Sequence, residues 1–182
     1  MENLIRKIAK EFNKSNITWG IGGAYLLKRY GINTELNDID ILISEDSIEK
    51  VEEVMNRISV KQEIINDEHF HSAFYTVYEM DGVNVNIVCN LSSDFDEEFN
   101  YVFDQEDISV YEVQDNNRIN YCHLMDWYII YKEINRTSMS SSIETYYKDG
   151  GFIDNSRFHS KFGRINLDLL HQNFNKLKTL IY

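Results

Sequence analysis

Trp19-Gly20-Ile21-Gly22-Gly23-Ala24, followed across a loop by Asn37-Asp38-Ile39-Asp40-Ile41-Leu42-Ile43, holds the densest chemical signal in the chain. Ile17 to Ile21 is a short apolar run of strand type that stops at Gly22-Gly23. Ala24 to Tyr30 resumes helical spacing, with Ala24, Leu26, Leu27 and Tyr30 apolar, and Gly31 is a natural C-terminal stop. Ile39 to Ile43 is again a strand, rich in β-branched residues. A glycine pair at a strand-to-helix turn lets a ligand approach bare backbone, and the helix start behind it offers free N–H groups to phosphate. Asp38 and Asp40, two apart on a strand, share a face. Paired carboxylates are a hard-oxygen site for Mg²⁺, which favours one or two carboxylates plus substrate phosphates. Alone, a glycine pair is ordinarily a turn and an Asp-x-Asp ordinarily solvated charge. In this order and at this spacing they compose a metal–triphosphate site.

Outward from this stretch the chain mixes helices and strands. Leu4, Ile5, Ile8, Ala9 and Phe12 predict a helix over residues 2–13, and Ile48, Val51, Val54 and Met55 predict another over 44–57. Ala73–Met80 and Val83–Val88 flank Asp81-Gly82, the two-residue sequence of a type I′ hairpin. A helix is expected over Tyr121–Ile134, a loop or helix start over Thr137–Ser142, and a last helix over Ile165–Ile181. Without a regular βαβ repeat the fold class is α+β. The expected organisation is a core over residues 1–115 and a helical extension over 116–182 packed on it as one compact unit.

The glycine pair and the Asp38-Ile39-Asp40 run together resemble the nucleotidyltransferase superfamily that shares the DNA polymerase β-like catalytic fold. The resemblance covers roughly residues 15–90 and is greatest to the small bacterial members, the antibiotic nucleotidyltransferases and those of toxin–antitoxin type. It implies a mixed sheet with helices packed on it. It implies that Gly22 and Gly23 hold the triphosphate of an NTP, and that Asp38 and Asp40 ligate Mg²⁺, a pair of ions in the family, which clamp the attacking and leaving oxygens. The family's third carboxylate lies on a strand after a hairpin, in a pattern like Gly-x-x-Val-Asp-Ile; the matching run here is Gly82-Val83-Asn84-Val85-Asn86-Ile87, with Asn86 where the acid belongs. Asn86 would then be a weak third ligand. Lys132 and Arg136 match, loosely, the cations that family members carry on a helix near the nucleotide.

The implied function is Mg²⁺-dependent transfer of a nucleoside monophosphate from an NTP to a hydroxyl acceptor. An antibiotic, a protein side chain and a tRNA end all remain open as acceptor, as does the base of the NTP. The alternative is a degenerate module of the same fold that works through a protein partner without turnover. Asn86 motivates it, because an amide takes no proton, and loss of a general base costs about 10²–10⁴ in rate.

Composition bounds the rest. Eighteen Lys and Arg against 30 Asp and Glu leave a net charge of −12, which argues against general nucleic-acid binding, since that affinity comes mainly from cations on phosphates. No apolar run approaches the roughly 18–20 residues of a membrane span, and Met1–Lys7 lacks the apolar core of a signal peptide. Two cysteines, Cys89 and Cys122, read as reduced core thiols, so the expected compartment is the cytoplasm. His69 and His71 read as edge histidines lacking a third ligand, and Asp94–Glu98 as a solvated acidic run. Tyr121, Trp127, Tyr128 and Tyr131 read as core, Ser138–Ser142 as hydroxyls without an activating base, and Tyr146–Phe152 as a loop that could cover a site.

Overall fold

The computed structural model describes residues 1–63, 70–93 and 99–152. In chain order the elements are α1 (Glu2–Lys14), β1 (Trp19–Ile21), α2 (Gly23–Arg29), β2 (Asp38–Ile43), α3 (Ile48–Ile58), β3 (Val60–Lys61), β4 (Phe70–Met80), β5 (Val83–Ser93), β6 (Asn100–Tyr101), β7 (Ile108–Gln114), β8 (Asn117–Cys122), α4 (Leu124–Glu133) and α5 (Thr137–Lys148). The strands make one mixed sheet in the order β3-β4-β5-β2-β1-β8-β7, with β6 beside β5. β2 runs parallel to β5 and β1 parallel to β8, while the other pairs are antiparallel. The α+β fold class and the mixed sheet with packed helices stand as expected.

Local chemistry explains the frame. Asp81 (φ 52°) and Gly82 (φ 77°) both take the left-handed conformation that a type I′ turn requires, which fixes the β4–β5 register. Helix α1 buries Leu4, Ile5, Ile8, Ala9 and Phe12, and Phe12 meets Trp19 edge-on at 5.7 Å between ring centroids. Asn13 Nδ2 donates to the Arg118 carbonyl at 2.6 Å, tying this helix to β8. β1 and the inner part of β2 are fully buried, as befits strands at the middle of a covered sheet.

Three sequence expectations change. The helix expected from Tyr121 starts at Leu124, because Tyr121 and Cys122 close β8. Residues Ile119 to Cys122 are all buried, so Tyr121 and Cys122 carry no alternation of apolar and polar positions to separate the end of a central strand from the start of a buried helix. Thr137–Ser142 opens a helix that continues to Lys148, so Tyr146, Tyr147 and Lys148 are helical and not part of a loop. Ser140, Ser142 and Thr145 satisfy their hydroxyls on the carbonyls of Thr137, Ser138 and Ser141, while Ser140 and Ile143 are buried. The chain beyond residue 115 begins with a strand, since Asp115 and Asn116 form the turn of the β7–β8 hairpin. The expected helix over 165–181, the acidic run 94–98, His69 and the side chain of His71 lie outside the described residues. Among the described residues no helix is long and apolar enough to cross a membrane, and Cys89 and Cys122 are buried free thiols.

Candidate active site at the glycine turn

The parallel register of β2 and β5 places Asp38 opposite Asn84 and Asp40 opposite Asn86. Side chains alternate along each strand, so Asp38, Asp40 and Asn86 emerge on one face. Their side chains converge. Asn86 Nδ2 donates to Asp38 Oδ2 at 3.0 Å and to Asp40 Oδ1 at 2.8 Å, so one amide group bridges both carboxylates.

The glycine turn closes against the same group. The Gly22 N–H donates to the Asp40 carbonyl at 2.9 Å. Gly23 holds φ +58°, and a Cβ on it would lie 1.9 Å from Asp40 Oδ2. A Cβ on Gly22 would lie 1.9 Å from Cε2 of the Trp127 indole. Packing therefore demands glycine at both positions, and backbone conformation demands it at Gly23 as well: α4 lays an aromatic ring on Gly22, and β2 lays a carboxylate on Gly23. Helix α2 behind the turn is only seven residues long.

Charge at the site is unbalanced. Burial first, and the neighbouring Asp38 second, push the Asp40 carboxyl up to about 6, against the Asn86 hydrogen bond and the charge of Arg136. Tyr131 lies in the same field: burial first, then Asp40 and Asp38, push its hydroxyl up. Trp127 and Tyr131 stand one helical turn apart on α4, rings 5.3 Å from centroid to centroid, and wall the site from that side. Sequence reasoning assigned both to the core, and each is only 5% exposed. Their second role had no local signature beyond the i, i+4 spacing.

The structure thus brings together Gly22, Gly23, Asp38, Asp40 and Asn86. Lys132 is engaged elsewhere, with Nζ 2.7 Å from Glu144 Oε1 and 5.5 Å from the centre of the Tyr128 ring. Tyr128 donates its hydroxyl to the same Glu144 oxygen at 3.0 Å. Arg136, at the start of α5, is the cation whose charge registers at Asp40.

The donor set is of the hard-oxygen kind that suits a divalent cation. Asp38 Oδ2 and Asp40 Oδ1 accept from Asn86, which leaves Asp38 Oδ1 and Asp40 Oδ2 as hard oxygens outside those two bonds. Among the described residues no group of three or more His, Cys, Asp or Glu side chains could hold a metal ion.

Solved structures that match this fold include nucleotidyltransferases. A candidate nucleotidyltransferase from Thermotoga maritima matches with a TM-score of 0.60 and 17% identity, over 81% of this chain and 92% of that one. The antibiotic-resistance factor ANT(2'')-Ia, in complex with adenylyl-2''-tobramycin, matches with a TM-score of 0.54 and 13% identity, over 96% of each chain. The lincosamide antibiotic adenylyltransferase LnuA, lincomycin-bound, matches with a TM-score of 0.53 and 13% identity, over 80% of this chain and 97% of that one. No protein-family model matches the chain, and no curated protein matches it in sequence. The chain has the nucleotidyltransferase fold.

Proposed function

We propose that this chain is a Mg²⁺-dependent nucleotidyltransferase, moving a nucleoside monophosphate from an NTP to a hydroxyl acceptor. Fold alone does not imply activity, so the reading rests on one observation at the site. Asp40, bridged to Asp38 by Asn86, stands in direct contact with the Gly22–Gly23 turn, through Gly22 N–H on the Asp40 carbonyl and the Gly23 backbone against the Asp40 carboxylate. In this reading that contact joins the carboxylates that would hold the metal to the turn that phosphates would approach.

In such a transfer the acceptor oxygen bonds to the α-phosphorus. The bond from that phosphorus to the bridging oxygen breaks, and pyrophosphate leaves with the bonding electrons. A bound Mg²⁺ would supply charge neutralisation on the phosphate oxygens. Asp38 and Asp40 would hold it through their oxygens outside the Asn86 bonds. Gly22 and Gly23 would let the triphosphate approach the backbone, with Trp127 excluding water behind them. Asn86 orients both carboxylates and takes no proton, so the acceptor's proton would pass to solvent. Arg136 and Lys132 would face phosphate, the latter by exchanging its Glu144 partner.

The acceptor class is a hydroxyl-bearing molecule, in keeping with the adenylyl-tobramycin and lincomycin of the similar structures. The test is a thermal-shift series with each NTP and Mg²⁺, followed by pyrophosphate release with hydroxyl-bearing acceptors, aminoglycosides and lincosamides included. An NTP- and Mg²⁺-dependent rise in Tm that vanishes in the Asp38→Ala/Asp40→Ala double variant is expected. A full shift retained in that variant would place the nucleotide elsewhere.

A further inference from the structure

We propose that the site takes a single divalent cation, the one that travels with the nucleotide, and that the Asn86 amide permanently fills the seat of a second. The inference rests on the nucleotide-site reading above and concerns how many ions that site admits.

Two ions in a transfer site stand about 3.5–4 Å apart and need anionic oxygens between them, because two dications at that distance repel strongly. Asp38 and Asp40 offer four carboxylate oxygens. Asn86 Nδ2 sits between the carboxylates, 3.0 Å from Asp38 Oδ2 and 2.8 Å from Asp40 Oδ1, and engages one oxygen of each. The positive end of the amide dipole is thus directed at the oxygens that a cation bridging the pair on this side would use. One bridging pair is left, Asp38 Oδ1 and Asp40 Oδ2, and Asp40 Oδ2 is the atom packed against Gly23. A cation held by these oxygens would take the rest of its shell from the phosphates of the nucleotide.

Rotating Asn86 to lend its carbonyl oxygen, as a weak third ligand, would break both N–H···O bonds. It would then add a neutral donor where a second dication needs charge. The amide is the better occupant. It is held by register and not by chance: Asn86 lies directly opposite Asp40 on the parallel strand, and opposite Val77 on the other side.

The experiment counts ions. Wild type, Asn86→Asp and Asn86→Ala are each saturated with Mn²⁺ and the α,β-methylene analogue of the NTP that gives the largest thermal shift. Native mass spectrometry reads the number of Mn²⁺ per protein–nucleotide complex, and low-temperature EPR reads whether bound Mn²⁺ ions are spin-coupled. Expected are one uncoupled Mn²⁺ in wild type, one in Asn86→Ala, and a second, coupled Mn²⁺ in Asn86→Asp, where a charged oxygen replaces the amide. Two ions in wild type, or one in a folded Asn86→Asp, overturn the proposal while the nucleotide site stands. Nucleotide analogue and Mn²⁺ absent from every complex overturn the site reading as well. Should Asn86→Asp not fold, the wild-type count decides: one ion bears the proposal out and two overturn it.

Discussion

The backbone of Gly23 and the carboxylate of Asp40 share a space that no side chain could enter: a Cβ at residue 23 would stand 1.9 Å from Asp40 Oδ2, on a backbone with φ +58°. Gly23→Ala therefore combines a left-handed strain with displacement of the carboxylate. The expected cost is about 1–3 kcal/mol of stability. Urea unfolding measures it, and the NTP-dependent rise in Tm should be lost in variant protein that remains folded. An unchanged rise would mean that Asp40 need not hold its present position.

Asp38→Ala with Asp40→Ala separates ligand binding from folding. Two adjacent carboxylates repel, and Asn86 offsets part of that repulsion, so removing both should leave the midpoint of metal-free unfolding close to wild type. The stabilisation by NTP and Mg²⁺, which arises because a ligand binds only the native state, should disappear. Loss of several kcal/mol in the metal-free protein would instead mark the pair as a structural device.

Trp127 covers Gly22, so shaving its ring opens the turn from behind. Trp127→Ala should cost about 3–5 kcal/mol, as for other buried aromatic truncations. Trp127→Phe keeps an aromatic wall but withdraws the atoms that touch Gly22. It should fold, with nucleotide affinity reduced several-fold in a calorimetric titration. Equal affinity in Trp127→Phe and wild type would show that the wall does not hold the turn.

The Glu144 contact predicts a pH dependence remote from the acidic pair. Burial alone would raise this carboxyl, but hydrogen bonds with Lys132 and Tyr128 outweigh it and hold it below its ordinary value of 4.5. A depressed carboxyl stabilises the fold above its unfolded pKa, and the contribution is lost as pH falls through the folded value. Wild type should therefore exceed Glu144→Gln in urea stability at pH 7, by about 0.2–1 kcal/mol for a partly solvated pair, and the gap should close in acid. A gap that widens as pH falls would contradict the assignment.

The site was legible in sequence where its residues follow from local rules. Asp38 and Asp40 needed only the period-two alternation of a strand, whereas Asn86 is legible only through the family resemblance, because the Asp81-Gly82 turn sets its register against β4 and not against β2. What escaped was tertiary. Trp127 meets Gly22 only because β8 inserts beside β1 and carries α4 back over the turn, and nothing in the residues around 127 encodes that. The β7–β8 hairpin escaped for a different reason. Its signal, Asp115-Asn116 with both φ positive, is a weaker form of the Asn-Gly turn, and Val110, Tyr111 and Val113 leave apolar atoms in water, which blurs the alternation. Helix α5 escaped because serines disfavour helix unless their hydroxyls bond back to the preceding turn, as three hydroxyls do here.

The insertion of β8 beside β1 also orders events during synthesis. Ile21 has its parallel partner in Tyr121, and Gly22 has its cover in Trp127, about a hundred residues further along the chain. A ribosome adding about 5–20 residues per second takes about 5–20 s to make that stretch. Over that interval the nascent glycine turn already has its acidic neighbour on β2 within reach, yet one edge of β1 is open and the indole that seals it has not been made. Assembly of the site is thus the late step of folding, and the half-built sheet, with its open β1 edge, is the state that cellular chaperones would meet.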